Sequence, residues 1–423
     1  MVKSAVVRNI ELEPDDVSTA AVAIPRRHGA DPREGRRMAK PVSWLIRGRD
    51  PEPSPEQWQA LGEALLEGDP AADRLVTWMH QTGMNAAMPL FERALERGIA
   101  SVPNAPAALR EFFAVVDARP AWVDERLLVE GARVSHISGL TGMRTMRDLA
   151  LMAGYQASAI NRTLVLTGAL QRGAQRRLAE TTKWWLDATA DDGMARDANG
   201  FKTTLRVRLI HALLRKRVAA MPEWDTTELG LPINQADMHA TYLGFSVVFL
   251  FGQRLMGVPL RQREAEAVMH LWRYIGWLMG VDERWLCLSE MDGRVALYRN
   301  LLSQAPPDDS SVQLGRALMD EPLSRHYPRF AWLRGHFERS RHLSICRMFL
   351  GAEGMKALGL PRFVLPWYPL LSAPLVATRQ GVLRLLPGGR ERLIRAGRAA
   401  QVDYLKVLFG HSRPDIGGHQ HVP

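Results

Sequence analysis

Residues 206–217 read RVRLIHALLRKR, and the way that stretch is read decides how the whole chain is read. Its apolar side chains recur at helical spacing: Val207, Leu214 and Val218 share the face of His211, four residues before it and three and seven after it. Arg208 and Arg215 flank that stripe, three residues before and four after the histidine. An imidazole therefore stands where a leucine would pack better. Two readings are open from this helix alone. One is a core histidine hydrogen-bonded to a neighbour. The other is a ligand to a metal or to haem iron, with the macrocycle against aliphatic side chains and the arginines neutralising propionates at the margin.

Composition extends the helical reading outward. The chain has 423 residues, 46% of them hydrophobic, which is enough for a large core. Aliphatic residues, Met and Arg are abundant and β-branched alternation is scarce, so an all-α fold is expected. The net charge is +10, but the arginines are spread along the chain close to Glu and Asp. RQREAEAVMHLWRY at 261–274 reads as a solvated helix face, and nucleic acid is not expected as a partner. Cys287 and Cys346 are isolated in apolar helical settings and read as small buried hydrophobes. The most apolar run, TYLGFSVVFLFG at 241–252, is too short to span a bilayer and reads as a buried helix. With no apolar run after the basic PRR and GRR stretches, a cytoplasmic protein is expected, or a secreted one if a signal was removed before residue 1.

Three regions are expected. Residues 1–52 look like a flexible arm of loop chemistry, as in DPREGRR and RDPEPSPEQW. Residues 53–411 form one helical body, opening with Ser54 as N-cap and Pro55 at the first helical position. Residues 412–423, with His419 and His421, read as a disordered tail. Within the body, the stretch 147–170 is apolar nearly all round and should be a central helix, interrupted by Asn161, Arg162 and Thr167. Asp148 near its start is a cap or a buried partner for an arginine, and Gly142, Gly154 and Gly168 permit close helix contacts. The proline-studded 358–376 is expected to wrap irregularly over the core.

A second constellation is RRLAETTKWW at 176–185. Arg177, Glu180, Thr181 and Trp184 fall on one helical face: a cation, a carboxyl, a hydroxyl and an indole at the mouth of an aromatic interior. That suits a pocket wall where oxygen or a substrate is handled, or equally an Arg–Glu pair on a half-buried helix. His239 and His270 could join His211 in a three-imidazole metal site, without any local ligand spacing to bind them. No serine or cysteine stands in a nucleophile-elbow setting, so hydrolase chemistry has no support.

Six stretches in one order carry a resemblance: RPAWVD (119–124), RDLALMAGY (147–155), NRTLVLTGAL (161–170), RRLAETTKWW (176–185), RVRLIHALLR (206–215) and LWRYIGWLMGV (271–281). Together they resemble the latex-clearing protein (rubber oxygenase) family and its wider MpaB-type oxygenase superfamily, over about 110–300 and more loosely to about 380. The resemblance implies a globin-like helical core with additional helices, holding haem b. It also implies dioxygen as co-substrate and oxidative cleavage of C=C bonds in a hydrophobic small-molecule or polymer substrate such as polyisoprene. By position, His211 is the implied iron ligand, in a pocket that includes Val207, Arg208, Leu214 and Arg215. The family's distal R-x-x-K-T motif falls on Arg177, Glu180 and Thr181, with Glu180 in place of the lysine. The family's glutamate base falls on Asn161, which cannot accept a proton as a carboxylate does. Glu180 is then a candidate for a displaced base, and Lys183 for a displaced distal cation. Three functions follow: a haem-dependent oxygenase on an apolar, isoprenoid or otherwise unsaturated substrate; a non-catalytic haem sensor or carrier; and a basic helical module in which His211 is only core.

Overall fold

The computed structural model of the chain describes residues 23–168 and 174–410, and among these every regular element is helical. The first helices are α1 (Pro32–Ser43), α2 (Pro55–Glu63), α3 (Pro70–Thr82), α4 (Met84–Arg97) and α5 (Ala107–Asp117). Their starts follow from side-chain caps. Ser54 accepts from the Gln57 amide in a capping box before Pro55, and Asp69 accepts from Ala72 before Pro70. Glycines close α3 and α4, with Gly83 and Gly98 at positive φ.

The middle of the chain holds α6 (Glu125–Arg144), a π-helical turn at Thr145–Leu151, α7 (Met152–Gly154), α8 (Ser158–Leu166), α9 (Ala174–Ala188), α10 (Asn199–Ala219) and α11 (Thr226–Leu229). Then come α12 (Gln235–Leu243), a second π-helical turn at Gly244–Val248, α13 (Phe249–Leu255), α14 (Gln262–Leu278) and α15 (Glu290–Ser303). The chain finishes with α16 (Asp309–Asp320), α17 (Ala331–Ala357), α18 (Trp367–Leu385) and α19 (Gly389–Phe409). None of these helices is long and apolar enough to cross a membrane.

Three expectations are corrected. Residues 23–52 are built into the body rather than forming an arm. On α1, Ala39 is fully buried, and a Cβ at Gly35 would lie 2.9 Å from the Leu302 carbonyl oxygen of α15. Arg27 reaches the interior to pair with Asp237 at 2.7 Å. The stretch 147–170 is not one helix: the π turn, a break at Tyr155–Ala157 and α8 divide it, because the wide turn lets Gly252 cross directly against Thr145. The proline-rich 358–376 is partly regular, since α18 runs from Trp367 with Pro374 accommodated inside it. The tail from 412, with His419 and His421, lies outside the described residues.

α6 is the axle of the body. A Cβ on Gly131 would fall 2.5 Å from the Ala267 carbonyl of α14, and one on Gly397 of α19 only 1.9 Å from the His136 carbonyl. At that crossing Gly139 turns to φ 51°, ψ −137°, which interrupts the helix and frees carbonyls. Buried glutamines answer them: Gln401 donates to the Ser135 and Gly139 carbonyls, and Gln380 to that of Ile137.

α10 is clamped to α3 by two ion pairs. Arg208 binds Asp69 through Nε at 2.6 Å and Nη2 at 2.8 Å, and its Nη1 donates to the Leu278 carbonyl. Arg215, two turns on, binds Asp73, one turn on from Asp69. Both members of the first pair are buried, so removing one charge strands the other. Asp69→Asn preserves the cap and the volume but not the charge. It is expected to destabilise the fold by about 3 kcal/mol, read from the urea midpoint; a loss within error would show that the clamp is not structural.

His239 offers a cleaner electrostatic test. It lies between Tyr242 and Trp285, with both ring nitrogens buried and unpartnered. Burial pushes its imidazole down to about 3. The folded form thus stays neutral while the unfolded chain takes a proton below its ordinary value of 6.5. Stability is unaffected above that value and falls as pH drops from it toward 3. His239→Leu should therefore be more stabilising at pH 5 than at pH 8 by about 2 kcal/mol, measured by denaturant unfolding at both pH values.

Candidate functional site

The clamp sets the rotation of α10, and the rotation decides where His211 points. Arg208, Leu209, Ala212, Leu213 and Arg215 are buried, whereas Val207, Ile210, His211 and Leu214 form a stripe that protein covers only in part. The imidazole nevertheless sits in an interior setting. Burial, with the charges of Arg215 and Arg177, pushes it down to about 4 against a smaller opposing pull from Asp69. It is a neutral ring at physiological pH. Its Nδ1 is buried without a partner, and neither ring nitrogen hydrogen-bonds a described residue. A core histidine would ordinarily satisfy at least one nitrogen. A neutral imidazole with an open lone pair, on an apolar half-covered face, has the donor chemistry that binds iron or zinc.

The elements linked to this stripe also show partly covered apolar surface. Trp184 of α9 donates its indole N–H to Thr204 Oγ1 of α10 and meets Phe245 edge-on at 5.2 Å. Phe245 and Val248 of the second π turn are half-covered, as are Met146 and Ala150 of the first. A Cβ built on Gly154 would meet nothing within 4 Å, and one on Gly244 only Ala150 Cβ at 3.9 Å. Gly154 is exposed, whereas Gly244 is half-covered and loosely contacted. The apolar core itself divides here. Trp184 and Trp185 belong to one cluster, while Leu178, Ala179 and Tyr155 belong to another. Arg177 lies at that seam, close enough for its charge to act on both His211 and Tyr155.

The other expected site residues divide. Arg177 keeps a guanidinium with no ion-pair partner among the described residues, as a pocket cation should. Thr181 is exposed between Leu178 and the buried Trp184 and Trp185. Glu180 turns to Arg176, whose Nε donates to it at 3.0 Å, and not to Arg177. Lys183 pairs with Asp187 along its own helix. Arg208 and Arg215 do not neutralise a cofactor margin, because Asp69 and Asp73 already hold them. Asn161 is fully buried, its amide donating to the Tyr155 carbonyl at 2.7 Å and to Ser311 Oγ at 3.2 Å, which commits it to packing α8 on α16.

The three-imidazole idea fails on position. His239 is stacked against Tyr242, and His270 accepts from the Asp124 backbone N–H at 2.9 Å beside Trp122. Among the described residues no cluster of three His, Cys, Asp or Glu side chains is placed to hold a metal ion. Asp148 is a buried partner, bound by Arg147 at 2.7 Å and by His342 at 2.8 Å. His342 in turn touches Cys346. Ile210 and Gly244 were missed from sequence, although Ile210 stands three residues after Val207 and four before Leu214. Gly154, expected to permit a close helix contact, makes none: a Cβ there would meet nothing within 4 Å.

Comparison with known proteins places this geometry. Residues 142–381, more than half of the chain, match the family described as ER-bound oxygenase mpaB/B'/Rubber oxygenase, catalytic domain. The rubber oxygenase of Streptomyces sp. (strain K30) is 26% identical over 227 residues, which are 52% of this chain and 54% of the relative. The chain thus matches about half the length of that curated protein. The structure of latex clearing protein LCP in the closed state superposes with a TM-score of 0.65 at 20% identity, covering 80% of this chain and 91% of that one, and so shares its all-α fold. With the matched segment running from the end of α6 through α18 and enclosing both π turns and α10, the chain belongs to the mpaB/rubber oxygenase catalytic-domain family.

Proposed function

We propose that this member of an oxygenase family is a haem b-dependent oxygenase that uses dioxygen on an apolar, unsaturated substrate, isoprenoid compounds included. The observation that carries the reading is His211: a neutral, unpartnered imidazole on the half-covered stripe of Val207, Ile210 and Leu214. The residues present fit the group. The loose contact at the half-covered Gly244 leaves room for a flat macrocycle, the aliphatic and aromatic surfaces give it an apolar bed, and Arg177 remains to meet an anionic edge. The globin-like description of the helical core and the role of iron belong to this same reading.

Haem, when bound, supplies the dioxygen chemistry. The chain supplies the rest. His211 offers a lone pair that burial keeps unprotonated well below neutral pH. Arg177, with no ion-pair partner among the described residues, orients or stabilises negative charge in a site of low polarity. Thr181 contributes a hydroxyl that donates or accepts as the substrate requires. Trp184, Phe245 and Val248 exclude water from an unsaturated chain laid against them. Glu180 is the carboxyl nearest in sequence to that wall; its salt link to Arg176 holds it at the rim, from which it can relay a proton.

A second reading, haem carriage or sensing without turnover, is favoured by Asn161. Its amide is consumed by backbone and Ser311, so no general base stands at that position. Product formation from unsaturated lipids under oxygen separates the two, since a carrier keeps haem but makes no product.

His211→Ala is expected to fold normally and to lose haem on gel filtration after hemin reconstitution, with the Soret band as readout. Full haem retention by that variant would refute the assignment. Glu180→Ala should keep haem but slow turnover roughly a hundredfold. An unchanged rate and spectrum would place Glu180 outside the reaction.

A further inference from the structure

The surface formed by α18 and the start of α17 is unlike the rest of the molecule. Along α18, Leu371, Leu375, Val382 and Leu385 share an outward face at helical spacing, with Leu375 70% and Leu385 85% exposed. Just before the helix, Phe363 is fully exposed, and on α17 Trp332 is 74% exposed. Phe337 meets Trp367 at 5.8 Å, and Arg341 lies over both Phe337 and Tyr368, so the two apolar stretches form one surface. Monomeric proteins rarely leave so much contiguous apolar area to water.

Charge identifies what covers it. Between Glu353 and Glu391 the sequence has no carboxylate, while Lys356, Arg362 and Arg379 stand exposed. Between Glu321 and Glu338 there is again none, with Arg329 and Arg334 exposed beside Phe330 and Trp332. A second copy of the chain would set these cations against one another with no carboxylate to meet them. Nucleic acid would leave the leucines in water. Leucine, phenylalanine and tryptophan on one face, rimmed by exposed arginines, with the nearby carboxylates Glu338 and Glu264 already bound to Arg341 and Arg384, match the headgroup–acyl boundary of an anionic bilayer.

We propose that this face docks flat on a membrane surface containing anionic phospholipid, as a peripheral contact. The leucines and aromatic rings enter the boundary region, and Arg329, Arg334, Arg362 and Arg379 meet lipid phosphates. The contact does not rest on the haem reading, so haem-free and haem-loaded protein should bind alike.

Flotation of the full chain with phosphatidylcholine vesicles, with and without phosphatidylglycerol, tests the proposal. Binding is expected on the anionic vesicles and should weaken as salt is raised. The double variant Leu371→Glu/Leu375→Glu should reduce binding roughly tenfold or more. Arg362→Ala/Arg379→Ala should abolish most of the preference for phosphatidylglycerol. All four positions are solvent-exposed, so both variants are expected to fold, with circular dichroism as the check. The proposal is overturned if wild-type protein does not float with anionic vesicles, or if the leucine variant floats equally well. It is also overturned if light scattering shows a dimer that the leucine variant dissolves.

Discussion

The ion pair between Arg208 and Asp69 is the constraint on which the site depends. Asp69 does two things at once: it caps α3 and it accepts from two of the three nitrogens of a buried guanidinium from α10. Gly280 makes the pair possible, since a Cβ there would lie 2.2 Å from the Asp69 carboxyl. With Arg215 and Asp73 repeating the link, α10 cannot roll about its axis without stranding charge in the interior. The roll is what turns Val207, Ile210, His211 and Leu214 away from the packed core and toward the seam. The clamp is a device for orientation more than for net stability, because a buried pair of this kind gains little over an apolar replacement.

The seam itself follows from irregular backbone. Two π turns, at Thr145–Leu151 and Gly244–Val248, lie against each other across the interior, where regular helices would interlock ridge into groove. Met146 and Ala150 of one turn and Phe245 and Val248 of the other are only half-covered there, and a Cβ on Gly244 would meet only Ala150. Elsewhere the same molecule pulls its helices to backbone contact, as at Gly131 and Gly397. These close crossings hold α6 against α14 and α19.

What was legible in the sequence was set by period and by cap. All-α architecture, the Ser54 start, the buried cysteines and the shared face of Val207, His211 and Leu214 follow from local spacing, which the fold respects, whereas Val218, expected on that face, is fully buried. What was not legible required a partner from far along the chain. Arg208 and Arg215 looked like pocket cations because their partners, Asp69 and Asp73, lie more than a hundred residues away. Arg27 and α1 looked like loose loop because only Asp237 and Leu302 show them to be docked. The break in 147–170 was hidden because a π turn changes no residue type. Asn161, where the family resemblance implies a carboxylate, serves packing, a role that depends on Ser311 of α16.

Under the haem reading proposed above, ligation and turnover rest on different physical grounds in this chain. Holding a flat apolar group would draw on the neutral imidazole and the half-covered aliphatic stripe of α10, which the clamp to α3 orients. Turnover requires a group that moves protons at the right atom. The position where the family resemblance implies a carboxylate carries an amide already engaged in packing, and the nearest carboxyl, Glu180, is drawn toward Arg176 at the rim. A chain can keep the first set intact while the second drifts, because the clamp does not touch it. Arg177 is the residue where the two meet: it is close enough to influence the imidazole's proton affinity and has no ion-pair partner among the described residues. In the haem reading proposed above, this half-covered guanidinium is the group left to meet an anionic edge of a guest whose body packs against the aliphatic stripe.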